Sequence, residues 1–140
     1  MSNVKMLSQQ EIFDKGLAHI RQQGEPSLEG QSCRYLAVSG NSCVVGGLIL
    51  PELRSAEFDD SSNTSVRSLI RDLKFNEALR QSGIDTGRPG VIDLLDAMQL
   101  CHDGASDRLD FISTFERYMK QNAGMVGLTY TPAVTQTQLS

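Results

Sequence analysis

The chain has 140 residues, 39% apolar and 21% charged, with a formal net charge of −4. That length suits one domain with an ordinary core, because a domain of about 150 residues buries roughly two-thirds of its unfolded surface, and the composition excludes disordered, collagenous and coiled-coil chains. No run reaches the roughly 18 apolar residues of a membrane span, and residues 1–8 lack the apolar centre of a signal peptide, so a cytoplasmic protein without membrane association is expected.

Residues 1–7 are read as a flexible N-terminus. Ser8 followed three residues later by Glu11 is a capping-box pattern, and Ile12, Phe13, Leu17 and Ile20 then share one helical face, which predicts a helix over 9–23 stopped by Gly24. Glu25 to Ser32 contains Pro26 and Gly30 and reads as a loop. The β-prone runs Cys33–Val38 and Cys43–Val45 flank Ser39-Gly40-Asn41-Ser42 and predict a β-hairpin, with Gly46 and Gly47 ending its second strand. Leu48, Ile49 and Leu50 before Pro51 fit a buried turn or short helix. Ala56 to Thr64 is polar and predicts a mobile surface loop.

Asn63 or Thr64 could cap a second helix, with Val66, Leu69, Ile70 and Leu73 on its inner face and Phe75 and Leu79 continuing it after a bend. Gly87, Pro89 and Gly90 form a turn before a third helix marked by Val91, Leu94, Leu95, Met98 and Cys101, closed by Gly104. Ser106 or Asp107 could cap a last helix, with Leu109, Ile112, Phe115 and Met119 pointing inward and Gly124 as its stop. From Val126 onward no apolar period persists, and a frayed end is expected. The predicted architecture is α+β and mostly helical, with about four to five helices and one small β-hairpin: a single globular domain over 8–128 and a polar C-terminal tail over 129–140.

The candidates for chemistry are few. Cys33, Cys43, Cys101 and His102 offer a Cys3His set, but they lack the short knuckle spacing of structural zinc, and an odd number of cysteines argues against a disulfide framework; no metal is expected. A cysteine-dependent enzyme could draw a thiolate from Cys33 or Cys43 and a base from His19 or His102, although packed thiols facing each other across the hairpin explain the cysteines equally well. No phosphate-loop, dinucleotide or nucleophile-elbow fingerprint occurs, so no cofactor is expected. Gly87, Arg88 and Gly90 precede a helix and could present amides and a guanidinium to an anion.

Arg67, Arg71 and Lys74 follow helical spacing and could touch nucleic-acid phosphates. Residues 84–140 hold seven acidic and four basic residues, however, and the acidic total argues against nucleic acid as a partner. Asp93, Asp96, Asp103, Asp107 and Asp110 could instead face a basic partner surface, or serve as helix caps.

Cys33-Arg34-Tyr35, followed by Gly40-Asn41-Ser42-Cys43-Val44-Val45-Gly46-Gly47-Leu48-Ile49, resembles a motif of small uncharacterised proteins of tailed phages and prophages. The similarity extends to the opening helix with its Arg21-Gln22-Gln23-Gly24 ending and to Gly127-Leu128-Thr129-Tyr130-Thr131-Pro132. In that pattern a cysteine often stands at the position of Gly47, and the proline follows the Leu-Ile step directly, whereas here Leu50 intervenes before Pro51-Glu52. The resemblance implies a phage context and no catalytic site. Function is accordingly expected to be binding: a phage accessory protein that inhibits a host enzyme or defence component, with a nucleic-acid-associated regulator and a small cysteine-dependent enzyme as the alternatives.

Overall fold

In the computed structural model, which describes residues 5–30, 32–59 and 65–132, the predicted capping box opens the first helix, α1 (Gln9–Gln23). The Ser8 hydroxyl accepts the Glu11 N–H at 3.1 Å, and the Glu11 carboxylate accepts the Ser8 N–H at 2.9 Å. Gly24 ends α1 at φ 78°, donating its N–H to Ile20 O. A left-handed residue satisfies the last carbonyls of a helix, and glycine does so without a Cβ penalty.

The described residues are mostly helical with one antiparallel hairpin, as expected, but the hairpin lies earlier than predicted. Its strands are β1 (Leu28–Glu29) and β2 (Ser32–Cys33), with Leu28 opposite Cys33 and Glu29 opposite Ser32, so the segment read as a loop carries the sheet. Residues 35–41, expected as strand and turn, are held by the Asp59 carboxylate, which accepts the N–H groups of Tyr35 and Leu36 at 2.7 and 3.0 Å. Gly40 does adopt a positive φ, 96°, within that turn.

The predicted second strand is instead a helix, α2 (Val44–Leu48), capped by the Cys43 sulfur, which accepts the Gly46 N–H at 3.4 Å. Tertiary packing overrides the β preference of the Cys-Val-Val run. Val44 and Val45 are both fully buried, and Gly46 and Gly47 bring the α2 backbone close to the Tyr35 carbonyl and the His19 ring, an approach that any Cβ would block.

Two 3-10 turns, Pro51–Leu53 and Ala56–Asp59, follow. The expected mobile loop is therefore ordered over its first four residues, because Phe58 is buried and meets Phe75 edge-on at 5.2 Å. The rest of that loop, including the proposed caps Asn63 and Thr64, lies outside the described residues.

Ser65 caps α3 (Val66–Leu69) through its hydroxyl. The bend predicted after Leu73 falls before it: the Asp72 carboxylate accepts the N–H groups of Lys74 and Phe75, opening a separate helix, α4 (Leu73–Gln81). A short acidic side chain that competes for backbone amides ends one helix and starts another. The restart rotates Leu73 outward, where it is 83% exposed rather than buried.

α5 (Val91–Ala105) begins after Gly90 at φ 86° and runs through Gly104. α6 (Phe111–Val126) begins after Asp110, beyond the predicted caps, so Leu109 falls outside the helix and is fully exposed, while Phe111, Phe115 and Met119 point inward. The stop is Gly127 at φ 76°, not Gly124.

α5 is the centre of the packing, with α1, α2, α3 and α6 against it. The core is one continuous cluster including Phe13, Phe75 and Phe115, each without exposed surface and each contributing roughly 1.5–3 kcal/mol of apolar burial. The chain beyond α6 is docked at least as far as Thr131. Thr129 exchanges two hydrogen bonds with the Gln10 side chain, and Tyr130 donates its hydroxyl to Glu116 at 2.5 Å. Arg21 binds both the Thr131 carbonyl and Glu116. Among the described residues no helix is long and apolar enough to cross a membrane.

Candidate functional site

The basic residues proposed for nucleic acid do not form one helical face. Arg67 lies on α3, Arg71 in the bend, and Lys74 on α4. Arg67 is ion-paired with Asp93 and, at 3.5 Å, with Asp96, so one cation of the basic set is neutralised by two aspartates of the acidic run; Lys74 pairs with Glu57 at 3.2 Å.

The remaining aspartates are dispersed in role. Asp103 accepts from Gln99 and bonds His102, Asp107 lies 3.8 Å from Arg108, and Asp110 accepts from the Thr114 hydroxyl. The five do not compose one free acidic surface. The Gly87 and Arg88 amides of the Gly87–Gly90 turn are also engaged. Gly87 N–H bonds the Asp85 carboxylate, and Arg88 N–H and Val91 N–H bond the carbonyls of Asp85 and Arg88. Gln9 leans over Gly90 and donates to the Pro89 carbonyl, while Arg88 reaches back to Leu7 O.

Of the four ligands weighed for zinc, only Cys33 and His102 converge, joined by Asp103, with their ligand atoms all within 4.8 Å of one another. The hydrogen bonds decide what this cluster can do. Ser27 N–H donates to His102 Nε2 at 3.0 Å, so Nε2 is an acceptor without a proton. The ring proton therefore sits on Nδ1 and is donated to the Asp103 carboxylate at 2.9 Å. A neutral imidazole that bound a metal through Nδ1 would carry its proton on Nε2, facing the Ser27 N–H, donor against donor. Protonation as a general base would create the same conflict. Both uses require the β1 approach to open first.

The thiols are equally unprepared for nucleophilic work. Burial pushes Cys33 up to about 11, helped by the Asp103 and Asp107 carboxylates, which leaves roughly one thiolate in ten thousand at pH 7. Cys101 is likewise raised to about 11 by burial, and Cys43, fully enclosed, is raised further. His102, Asp103, Gln99 and Cys33 form a polar strut: Gln99 accepts from Val45 N–H of α2, and Cys33 donates to Ser106 at the end of α5. Such a network fixes the hairpin and α2 on α5.

The feature with binding character lies elsewhere. A groove of about 780 Å³ runs between the 3-10 segment around Leu53 to Phe58 and α4. Its apolar lining comes from Leu53, Phe58, Leu73 and Ala78, and Glu52, Arg54, Glu57, Lys74 and Glu77 line it with charge. Sequence reasoning missed it because Leu73 was assigned to the core; the available signal was Asp72 ahead of Lys74 and Phe75, a helix-capping arrangement. Comparison with protein-family models, with curated proteins and with solved structures returns no match.

Proposed function

We propose that this protein acts by binding another protein through the groove beside α4, and that, in the phage context its sequence resembles, it occupies and inhibits a host enzyme or defence component in the host cytoplasm. One observation carries the reading: Leu73, 83% exposed, stands at an open groove with an apolar lining and charged edges. Protein interfaces have that anatomy, a desolvated apolar centre inside a polar rim, and a surface leucine beside a recess is the kind of anchor on which binding energy concentrates. The clusters that could have carried catalysis are hydrogen-bonded into the scaffold, and two of the three cations considered for nucleic acid are ion-paired.

The test is capture from host lysate with the wild-type chain and with Leu73→Glu, followed by mass spectrometry. A partner retained by wild type and lost by a normally folded Leu73→Glu protein supports the reading. A partner held equally by both, or a salt-sensitive nucleic-acid shift abolished by Arg71→Glu, overturns it.

A further inference from the structure

Resting on the groove as the binding surface, we infer the chemistry of its occupant: a basic amphipathic segment, with an apolar stripe of two or three side chains flanked by Lys or Arg.

The charges on the two walls select such a segment. Lys74 is committed to Glu57 at 3.2 Å, on the same groove. Arg54 also lines the groove, but its guanidinium is committed to the carbonyls of Ile49 and Gly47 at 2.9 and 3.2 Å, capping the end of α2, and pairs with neither Glu52 nor Glu77. Glu52 on one wall and Glu77 on the other form no ion pair among the described residues, and Glu77 accepts only the neutral amide of Gln81. The apolar lining is thus flanked on both sides by a carboxylate without a cation. Like charge on a ligand would meet both walls unfavourably, whereas a cation on each edge of an apolar stripe would meet its complement at both.

Length sets the scale of the occupant. α4 is nine residues and therefore spans roughly 13 Å, which matches two to three turns of an incoming helix. A helix laid in a groove places its apolar anchors one turn apart, and such a spacing fits a recess whose walls are a helix and a 3-10 segment running beside it.

The experiment measures fluorescence anisotropy of a synthetic helical peptide of roughly 12 residues, with leucines at helical spacing and lysines elsewhere, against the same peptide carrying glutamates in place of the lysines. The lysine peptide should bind and the glutamate peptide should bind at least about tenfold more weakly. Glu52→Gln/Glu77→Gln should weaken the lysine peptide several-fold and flatten its salt dependence, and Leu73→Glu should displace it from the groove. Asp14→Lys, which changes the net charge as much as the paired neutralisation does but lies on α1, should leave affinity unchanged.

If both peptides bind equally and only Leu73→Glu abolishes binding, the groove docks proteins but the basic chemistry is wrong. If Asp14→Lys weakens the lysine peptide as much as the groove variants do, attraction is to net charge and the inference fails. If the lysine peptide does not bind, the inference fails, while the lysate comparison still decides the groove itself.

Discussion

Gly47 of α2 lies directly against the His19 imidazole of α1, so closely that a methyl group at position 47 would collide with the ring. Beside it, Gly46 faces the Tyr35 carbonyl with the same lack of space. Ring and carbonyl differ in what they can yield. A side chain can rotate away, but Tyr35 O belongs to a turn whose amides are held by Asp59. Gly47→Ala should destabilise by about 1–3 kcal/mol and Gly46→Ala by more, read as shifts in melting temperature. In a double-mutant cycle, His19→Ala should relieve part of the Gly47→Ala cost; strictly additive losses would show that the ring is not what Gly47 accommodates.

His19 also predicts a pH dependence. Burial lowers its pKa below the ordinary 6.5, against the opposing hydrogen bond to the Ser42 carbonyl, while nearby Arg54 disfavours the cation further. The unfolded chain therefore binds the proton more readily than the native one. Stability from this group is fully present above about pH 6.5 and is lost as pH falls through the lower folded-state value. Melting temperature should decline below pH 6.5, and His19→Gln should flatten that part of the profile.

Cys43 occupies the cap position of α2, so its substitutions are ranked by how well they cap. Serine is a preferred cap and keeps an acceptor for the Gly46 N–H, whereas alanine leaves that amide unpaired in the interior. Cys43→Ala should cost roughly 0.5–2 kcal/mol more than Cys43→Ser by chemical denaturation. Equal losses would mean that the sulfur contributes only volume.

Thiol labelling gives an independent check. With Cys33 and Cys101 raised to about 11 and Cys43 enclosed, native protein at pH 7 should react slowly with a thiol reagent, and all three cysteines should label on unfolding. One cysteine reacting rapidly in the native state would restore the enzyme reading.

The Tyr130 hydroxyl and the Arg21 guanidinium converge on one carboxylate oxygen of Glu116. Tyr130→Phe should cost about 1.5–3 kcal/mol, the range for a hydrogen bond to a charged group, and should speed hydrogen exchange around Thr129–Thr131. An unchanged exchange pattern would mean that Arg21 alone holds that segment.

What the sequence disclosed, and what it concealed, follows from the range of the interactions involved. α1 was legible to the residue because its capping box, its apolar stripe and Gly24 are all local. α5, and Phe115 and Met119 on the inward face of α6, were legible from their period, whereas Leu109 lies ahead of the helix and is exposed. The hairpin was misplaced because Cys43-Val44-Val45 has strand propensity and becomes helical only through contacts with α1 and α5. Leu73 was misassigned because one carboxylate, Asp72, shifted the helical phase, and the groove vanished from view with it. The Cys33–His102 meeting was foreshadowed by residue type, but the approach of Ser27 to His102 depends on a chain reversal that spacing does not encode.

The pairing of Gln10 with Thr129 joins residues 119 positions apart, and Arg21 reaches still further along, to Thr131. During synthesis α1 is made more than a hundred residues before these partners, so the contacts on its flank form only after Thr129 and Thr131 have been made. Contacts so distant in sequence slow folding, and until they form, part of α1 has no partner. The Thr129–Thr131 segment therefore acts as a latch on the flank of α1, and a nascent chain cut short before Thr129 lacks the partners of Gln10 and one of those of Arg21.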